Sequence, residues 1–163
     1  MKEFAHLADA GRQLGERIAD RVGHWSDPIL TPVLPNGVPV VEGIRDRLHL
    51  PVRAIDVRRA DEGVVVETVA DLVGRTAIVV DDGVETGTIA RAVAPIMREG
   101  IVAHLVLAVP VCSREVLAHL ALVYDEVIAV SMPLVRRSLT WHYEDFDTVD
   151  EQEARRRLAE LPA

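Results

Sequence analysis

The chain has 163 residues, of which 49% are apolar, enough for one domain with a substantial core. Its formal charge is −8, with 26 acidic residues against 18 Lys and Arg, which excludes a nucleic-acid binder that depends on neutralising many phosphates. A small phosphate pocket is compatible with this charge, because backbone N–H groups can supply its donors. We therefore predict a single domain over residues 1–163 that binds no nucleic acid.

Cysteine content and hydropathy indicate the compartment. Cys112 is the only cysteine, so no disulfide can form within the chain and a reducing environment is expected. No stretch reaches the roughly 18 consecutive apolar residues of a membrane span. The segment from Met1 to His6 mixes charges and lacks the apolar core of a signal peptide. These features predict a cytoplasmic protein without membrane contact.

The first third of the chain predicts a helix, a strand and a second helix. An amphipathic helix is predicted over Phe4–Val22, although glycines within it weaken the prediction. The apolar run Ile29–Leu34 predicts a strand that is short or near an edge, because it contains Pro32. The turn Pro35-Asn36-Gly37 then leads into a helical pattern that extends to Leu48.

Residues 51–69 predict two further strands. Pro51–Val57 is predicted to be parallel to its neighbours and ends in Arg58 and Arg59. Paired arginines at the end of a strand either reach a bound pyrophosphate or form a solvated surface pair, and the residues alone favour neither. Val64–Val69 is also strand-like.

The most informative stretch runs from Thr76 to Ile89. Thr76–Val80 predicts a buried strand, which Asp81 and Asp82 end before a Gly-containing turn and the start of a helix. Carboxylates and unpaired backbone N–H groups are then expected side by side at the carboxyl end of a sheet, where α/β proteins bind ligands. The order predicts a sugar-phosphate site.

The remaining elements alternate in the same way. The pattern predicts a helix that ends at Gly100, a strand over Ile101–Val109, a helix that begins at Ser113 and a strand over Asp125–Val130. A charged helix over Val149–Leu158 closes the chain. His104 is expected to be a turn or core-edge residue, because no second ligand lies at metal spacing.

The run Ile78–Thr88 resembles the signature of the type I phosphoribosyltransferases: apolar residues, two acids, two spacers and a Thr-Gly loop. The turn at Asn36 and the tail Trp141-His-Tyr-Glu-Asp-Phe146 resemble those of a subgroup of that family with an Asp-Asp-Gly-x-x-Thr-Gly motif. The resemblance covers nearly the whole chain. It implies an α/β fold with a mostly parallel central sheet flanked by helices, and a small hood near Val64–Val69.

The resemblance implies a role for each part of the central motif. Asp81 and Asp82 would hold the ribose hydroxyls and stabilise positive charge on the sugar during catalysis. The loop that follows would bind the 5′-phosphate of phosphoribosyl pyrophosphate through Val84, Glu85, Thr86, Gly87 and Thr88. Glu85 matches an Asp that faces the base in purine phosphoribosyltransferases. It is therefore either a catalytic general base or a solvent-facing acid that favours the helix dipole.

The same resemblance implies a pyrophosphate site and a metal. The pyrophosphate residues would be Pro35, Asn36, Gly37, Arg58 and Arg59. Mg²⁺ carried on the pyrophosphate would neutralise the leaving group, with Asp81 and Asp82 as direct or indirect ligands. Two residues depart from the family: Asn36 stands where the subgroup commonly has Arg, and Ile89 where many members keep a hydroxyl.

The aromatic tail leaves two alternatives open. Trp141 and Tyr143 are candidates for stacking on a planar base, an attraction of roughly 1–3 kcal/mol per base. Alternatively, Trp141 and Phe146 pin the tail to the core.

These features predict a Mg²⁺-dependent transferase that acts on phosphoribosyl pyrophosphate and an unidentified nitrogenous acceptor, with purine and pyrimidine bases among the candidates. A homo-oligomer is expected. A second hypothesis is a non-catalytic nucleotide or sugar-phosphate sensor on the same fold, for which Asn36, Ile89 and the short hood argue. A third is an oligomeric partner of another enzyme.

Overall fold

The structure is a computed structural model that describes residues 2–162. In chain order its elements are α1 (Leu7–Ala19), β1 (Pro28–Pro32), α2 (Gly37–Arg45), β2 (Val57–Ala60), β3 (Gly63–Val66), β4 (Thr76–Val80), α3 (Thr88–Glu99), β5 (His104–Val111), α4 (Arg114–Leu120), β6 (Glu126–Ser131) and α5 (Glu151–Glu160). Short 3-10 helices cover Val22–His24 and Leu139–His142.

A four-stranded parallel sheet with the order β1-β4-β5-β6 forms the centre of the fold. β4 lies between β1 and β5, with Ile78 beside Leu30 on one side and Val106 on the other. All five residues of β4 are buried. The predicted parallel sheet flanked by helices is confirmed, and the residues that follow β4 emerge in the middle of its carboxyl edge.

The two faces of the sheet carry separate apolar clusters. Ala77 and Val79 of β4 pack with residues of α3 and α4. Ile78 and Val80, which point to the opposite face, pack with residues of α1 and α2. Both faces of β4 are therefore covered, which explains its uninterrupted apolar sequence.

Two glycines bring α1 and α2 into close contact. An ideal Cβ on Gly11 would lie 2.1 Å from the carbonyl oxygen of Val40, and one on Gly43 would lie 2.0 Å from that of Ala8. The predicted first helix is confirmed, with shorter ends than expected. A ring nitrogen of His6 caps α1 by accepting from the N–H of Asp9 at 3.2 Å.

The segment 51–55 runs parallel to β1 but does not form the regular strand predicted over Pro51–Val57. Backbone bonds join Leu30 N to Pro51 O at 2.9 Å and Ile55 N to Pro32 O at 2.8 Å. Pro32 lacks the N–H that would continue the ladder between these bonds, so the pairing is interrupted there. Only two isolated bridges form, and β1 lies near the edge of the sheet as its proline predicted.

Val57 begins an antiparallel hairpin instead of ending a parallel strand. β2 pairs with β3, and Ala60 faces Gly63 next to the turn. Gly63 has a φ of +120°, a conformation that favours glycine. The hairpin occupies the position expected of the small hood, and Val57 and Val66 pack against the core.

The two ends of the described chain meet beside the sheet. The backbone of Phe4 pairs with the tail: its N–H donates to His142 O at 3.1 Å and its carbonyl accepts from Glu144 N at 2.8 Å. The predicted closing helix is confirmed as α5, which contacts α2 through a small cluster that includes Val38 and Ala154. None of the helices described between residues 2 and 162 is long and apolar enough to cross a membrane.

Candidate active site

A cavity of about 310 Å³ opens at the carboxyl end of β4. Its walls are the loop and first helical turn after β4, together with side chains from other elements: Val33, Arg59, Val79, Asp81, Asp82, Gly83, Val84, Glu85, Thr86, Gly87, Thr88, Ile89, Ala90, Leu107 and Leu139. The structure thus brings together the two predicted acids, the whole predicted phosphate loop and one of the two predicted arginines.

The two acids form a coupled pair. Asp81 Oδ1 accepts a hydrogen bond from the backbone N–H of Asp82 at 2.8 Å. Burial raises the pKa of Asp81 well above its usual range, and the charge of Asp82 raises it further. Burial, with a contribution from the nearby charge of Glu85, raises the pKa of Asp82 from 3.8 to about 6. The pair therefore retains protons to a higher pH than ordinary carboxyl groups.

Glycines shape the loop that follows the acids. Gly83 has a φ of +146°, and a Cβ there would lie 2.6 Å from the side chain of Leu139. Val84 N donates to Val111 O at 2.9 Å, which ties the loop to the end of β5. Gly87 has a φ of +83° and stands at the N-cap of α3, where it supplies no side-chain acceptor. The N-terminal N–H groups of α3 are thus not capped by that residue, an arrangement suited to an anion.

Two threonines and an arginine surround the helix start. The hydroxyl oxygens of Thr86 and Thr88 lie 3.0 Å apart, and the bond between them is exposed. Arg91 Nη2 donates to Thr86 O at 2.8 Å, and a Cβ on Gly87 would lie 2.7 Å from the same guanidinium. Sequence reasoning missed Arg91; its place one turn after Gly87 on the predicted helix was the available signal. Ile89, the second departure from the family, packs against the core while it lines the cavity.

Glu85 contacts the C-terminal tail. Its Oε1 accepts a hydrogen bond from Leu139 N at 2.9 Å, while the residue itself is exposed. Its exposure agrees with the alternative of a solvent-facing acid, although the carboxylate also binds the tail; the role of a general base stays a prediction. Leu139, which supplies both this N–H and a side chain on the cavity wall, has no motif that would have marked it.

The predicted pyrophosphate residues do not share one cavity. Arg59 lines the cavity described above, but Arg58 lines a separate cavity of about 480 Å³ together with Pro35. Successive residues of a strand point to opposite faces, so the two arginines of β2 diverge. Asn36 Oδ1 accepts from Val149 N at 2.9 Å, and Gly37 is buried against the end of β4. A shared role of these five residues stays a prediction.

Tyr143 is a core residue, which corrects the expectation that it stacks on a base. It is 1% exposed, and its ring centroid lies 5.3 Å from that of Phe4 and 4.9 Å from that of Phe146. Its hydroxyl donates to the backbone carbonyl of Asp82 at 2.7 Å. Tyr143 therefore pins the tail to the acid loop. Trp141 is 48% exposed, and its ring centroid lies 4.5 Å from the guanidinium carbon of Arg137, so it keeps an accessible ring.

Metal ligands from the protein are few. Within residues 2–162, no group of three or more His, Cys, Asp or Glu side chains is placed to hold a metal ion. His104 lies at the opposite edge of the sheet, where its ring nitrogen is 3.1 Å from Glu126 Oε1. It is a core-edge residue, as expected.

The chain resembles proteins that carry a transferase name. It is 26% identical over 205 aligned positions to "Putative phosphoribosyl transferase Rv0571c" of Mycobacterium tuberculosis H37Rv, and equally to its counterpart in strain CDC 1551. The alignment covers 94% of this chain and 46% of each relative, so the chain spans about half the length of the curated relatives it matches. No protein-family model matches the chain.

Solved structures share the fold. The protein TT1426 from Thermus thermophilus has a TM-score of 0.86 and 24% identity, with full coverage of both chains. A purine phosphoribosyltransferase from Pyrococcus horikoshii has a TM-score of 0.58 and 18% identity, covering 83% of this chain and 99% of that one. A hypoxanthine phosphoribosyltransferase from Staphylococcus aureus has a TM-score of 0.61 and 11% identity, covering 82% and 78%. These similarities show that the chain has the fold shared by these phosphoribosyltransferase structures.

Proposed function

We propose that the chain transfers a phosphoribosyl group from phosphoribosyl pyrophosphate to a nitrogenous acceptor and releases pyrophosphate. One observation carries the proposal: a partly buried carboxyl pair and a helix N-terminus whose N-cap residue, Gly87, has no capping side chain face the same cavity. Carboxylates suit the hydroxyls of a ribose, and helix N–H groups suit a phosphate. Purine and pyrimidine bases are the acceptors to test first.

The proposed reaction breaks the bond between C1 of the ribose and the pyrophosphate oxygen. The oxygen leaves with the electron pair, positive charge develops on the sugar, and a nitrogen of the acceptor forms the new bond to C1 and gives up its proton to water. Asp81 and Asp82, once ionised, accept hydrogen bonds from the ribose hydroxyls and stabilise that charge. Thr86, Thr88 and the N–H groups at the start of α3 hold the 5′-phosphate. Arg59 on the cavity wall offers positive charge to the leaving group.

Magnesium is the metal that this proposal requires, and the donor set fits it. Asp81 and Asp82 offer carboxylate oxygens, the ligands that Mg²⁺ prefers. Because the described residues supply no three-ligand cluster, the fit is to an ion that arrives on the pyrophosphate and keeps several of its waters. When bound, Mg²⁺ would neutralise the charge of the leaving group.

The first test replaces both acids. We expect Asp81→Asn combined with Asp82→Asn to lower pyrophosphate release by on the order of 10³-fold or more, because electrostatic stabilisation of the sugar cation is removed. The measurement is pyrophosphate release from phosphoribosyl pyrophosphate and Mg²⁺ across a panel of bases. Circular dichroism should show an unchanged fold, and Asp61→Asn at an exposed turn should keep full activity. Turnover that survives in the double variant refutes the mechanism.

A non-catalytic sensor is the second candidate, and the contacts of two side chains favour it. Glu85 and Asn36, both expected to face a ligand, are hydrogen-bonded instead to the backbone of the tail. Calorimetric binding of phosphoribosyl pyrophosphate or nucleoside monophosphates, without turnover on any base of the panel, would favour the sensor. The homo-oligomer and the cytoplasmic location expected from the sequence remain predictions.

A further inference from the structure

The loop at Pro35–Gly37 is fixed on two sides by backbone contacts. Leu34 N donates to Ile55 O at 3.0 Å, which ties the start of the loop to the segment beside β1. Gly37 packs so closely on the end of β4 that a Cβ would lie 2.5 Å from Val80 O. The loop therefore abuts the residue directly before Asp81, and its position is coupled to that of the acid pair.

Asn36 supplies a third attachment, through its side chain. Its Oδ1 accepts from the backbone N–H of Val149 at 2.9 Å, a contact that joins residues 113 positions apart. A backbone N–H can only donate, so the amide atom that faces Val149 is the oxygen. The partly buried side chain is thus used to reach the tail.

Val149 is itself held in place by α5. Asp150 caps that helix by accepting from Glu153 N at 2.8 Å. The helix packs on α2, and Arg157 Nη1 bonds to Glu42 Oε1 at 3.1 Å. Val149 packs against the same apolar cluster as Leu34, which precedes the loop. Asn36 consequently bonds to a partner that several other contacts also hold in place.

We propose that Asn36 is a positioning residue, which holds the Pro35–Gly37 loop through Val149 so that the loop backbone meets the pyrophosphate of the substrate. This inference rests on the proposed function. In this inference Asn36 contributes a structural hydrogen bond at the position where the related subgroup commonly has the positive charge of Arg. Helix α5 then helps to support the site.

Hydrogen exchange tests the bond itself. Asn36→Ala removes the acceptor, so the Val149 amide, followed by NMR, should exchange about tenfold faster, the factor for one net hydrogen bond. Asn36→Asp keeps an acceptor oxygen and should preserve the protection. Unchanged protection in Asn36→Ala, or lost protection in Asn36→Asp, would overturn the inference.

Kinetics test the positioning role. Asn36→Ala and Val149→Pro, which lacks the N–H, should each raise KM for phosphoribosyl pyrophosphate about tenfold while kcat changes less than about twofold. Thr148→Ala, at the exposed neighbouring position, keeps both the Val149 N–H and the packing of Val149 and is the control, with KM unchanged. The double variant Asn36→Ala/Val149→Pro should behave like either single variant, because both remove the same bond.

Two kinetic outcomes would contradict the positioning role of Asn36. If Val149→Pro leaves KM unchanged, or if the two effects multiply in the double variant, residue 36 acts on the substrate directly and the inference is wrong. If the unmodified chain neither binds nor turns over phosphoribosyl pyrophosphate, the proposed function fails. The exchange experiment then still decides whether Asn36 anchors the loop.

Discussion

At the scale of single residues, the acid pair combines a functional placement with a cost in stability. Asp82 has a pKa of about 6 in the folded chain against 3.8 ordinarily, so between these values the folded state binds more protons than the unfolded state. The free energy of unfolding therefore falls as pH rises from about 4 to about 6, and stays reduced above that range. The proposed function nevertheless requires ionised carboxylates, which would bind the ribose and the metal.

Asp82→Asn should therefore stabilise the protein above pH 6. The shift of Asp82 sets an upper limit of about 3 kcal/mol on the gain. At pH 4 the gain should be largely lost, because the folded parent chain then carries a protonated Asp82. Urea unfolding of the variant and the parent at several pH values measures the difference. Asp61→Asn, at an exposed position, should show no such trend, and a gain that is constant with pH would contradict the argument.

At the scale of elements, the contact between α1 and α2 explains one of the two glycines in α1. Gly11 faces the Val40 carbonyl with no room for a Cβ, whereas a Cβ on Gly15 would make ordinary contacts at 3.4 Å with Ile44. Glycine has a low helix propensity, but at Gly11 the close packing of α1 on α2 requires it. α1 and α2 can approach closely only while Gly11 lacks a side chain.

The two glycines form a matched pair for mutation. Gly11→Ala should destabilise the protein by about 1–3 kcal/mol, because overpacking outweighs the gain in helix propensity. Gly15→Ala should stabilise it by roughly 0.5–1 kcal/mol, since the new methyl group fits. Chemical denaturation of both variants gives the comparison. Equal effects at the two positions would show that the close approach of α1 and α2 does not limit packing.

At the scale of the whole molecule, the first residues of the chain and the segment 139–144 are attached to the loop of the candidate site. Phe4 pairs with the backbone on either side of Tyr143, and the Tyr143 hydroxyl reaches Asp82. The tail also meets Glu85 through Leu139. The N-terminal arm around Phe4, the tail and the loop that holds Asp82 therefore form one packed unit. Phe4 is fully buried in it.

Phe4→Ala should loosen this unit. The loss of a buried phenyl ring is expected to cost about 3–5 kcal/mol, and residues near Tyr143 should become sensitive to limited proteolysis. Denaturation and mass spectrometry of the cleavage products measure the two effects. Lys2→Gln on the same arm is the control and should leave the cleavage pattern as it is. Destabilisation of Phe4→Ala without new cleavage in the tail would show that the arm does not hold it.

The part of the candidate site that lies in one continuous stretch of sequence could be predicted. Thr76–Val80, the two acids and the Thr-Gly loop lie in one continuous run, and the fold that they indicate is the fold observed. Contacts between distant segments were not predictable, since Leu139 carries no local pattern that points to Glu85. The strand predicted over Pro51–Val57 does not form, and the cause lies in its pairing partner β1. Pro32 lacks the N–H that would continue the pairing between the two segments.

The two residues between Ile55 and Arg58 determine which arginine of the hairpin lines the cavity of the candidate site. Ile55 is bonded to Pro32 O, and Asp56 and Val57 alone separate it from Arg58. Because Arg58 and Arg59 are successive residues of a strand and line different cavities, a spacer longer or shorter by one residue should exchange the two arginines. Whether this linker has an even or an odd number of residues thus decides which of the two guanidinium groups faces the candidate site. The presence of two adjacent arginines does not decide it alone.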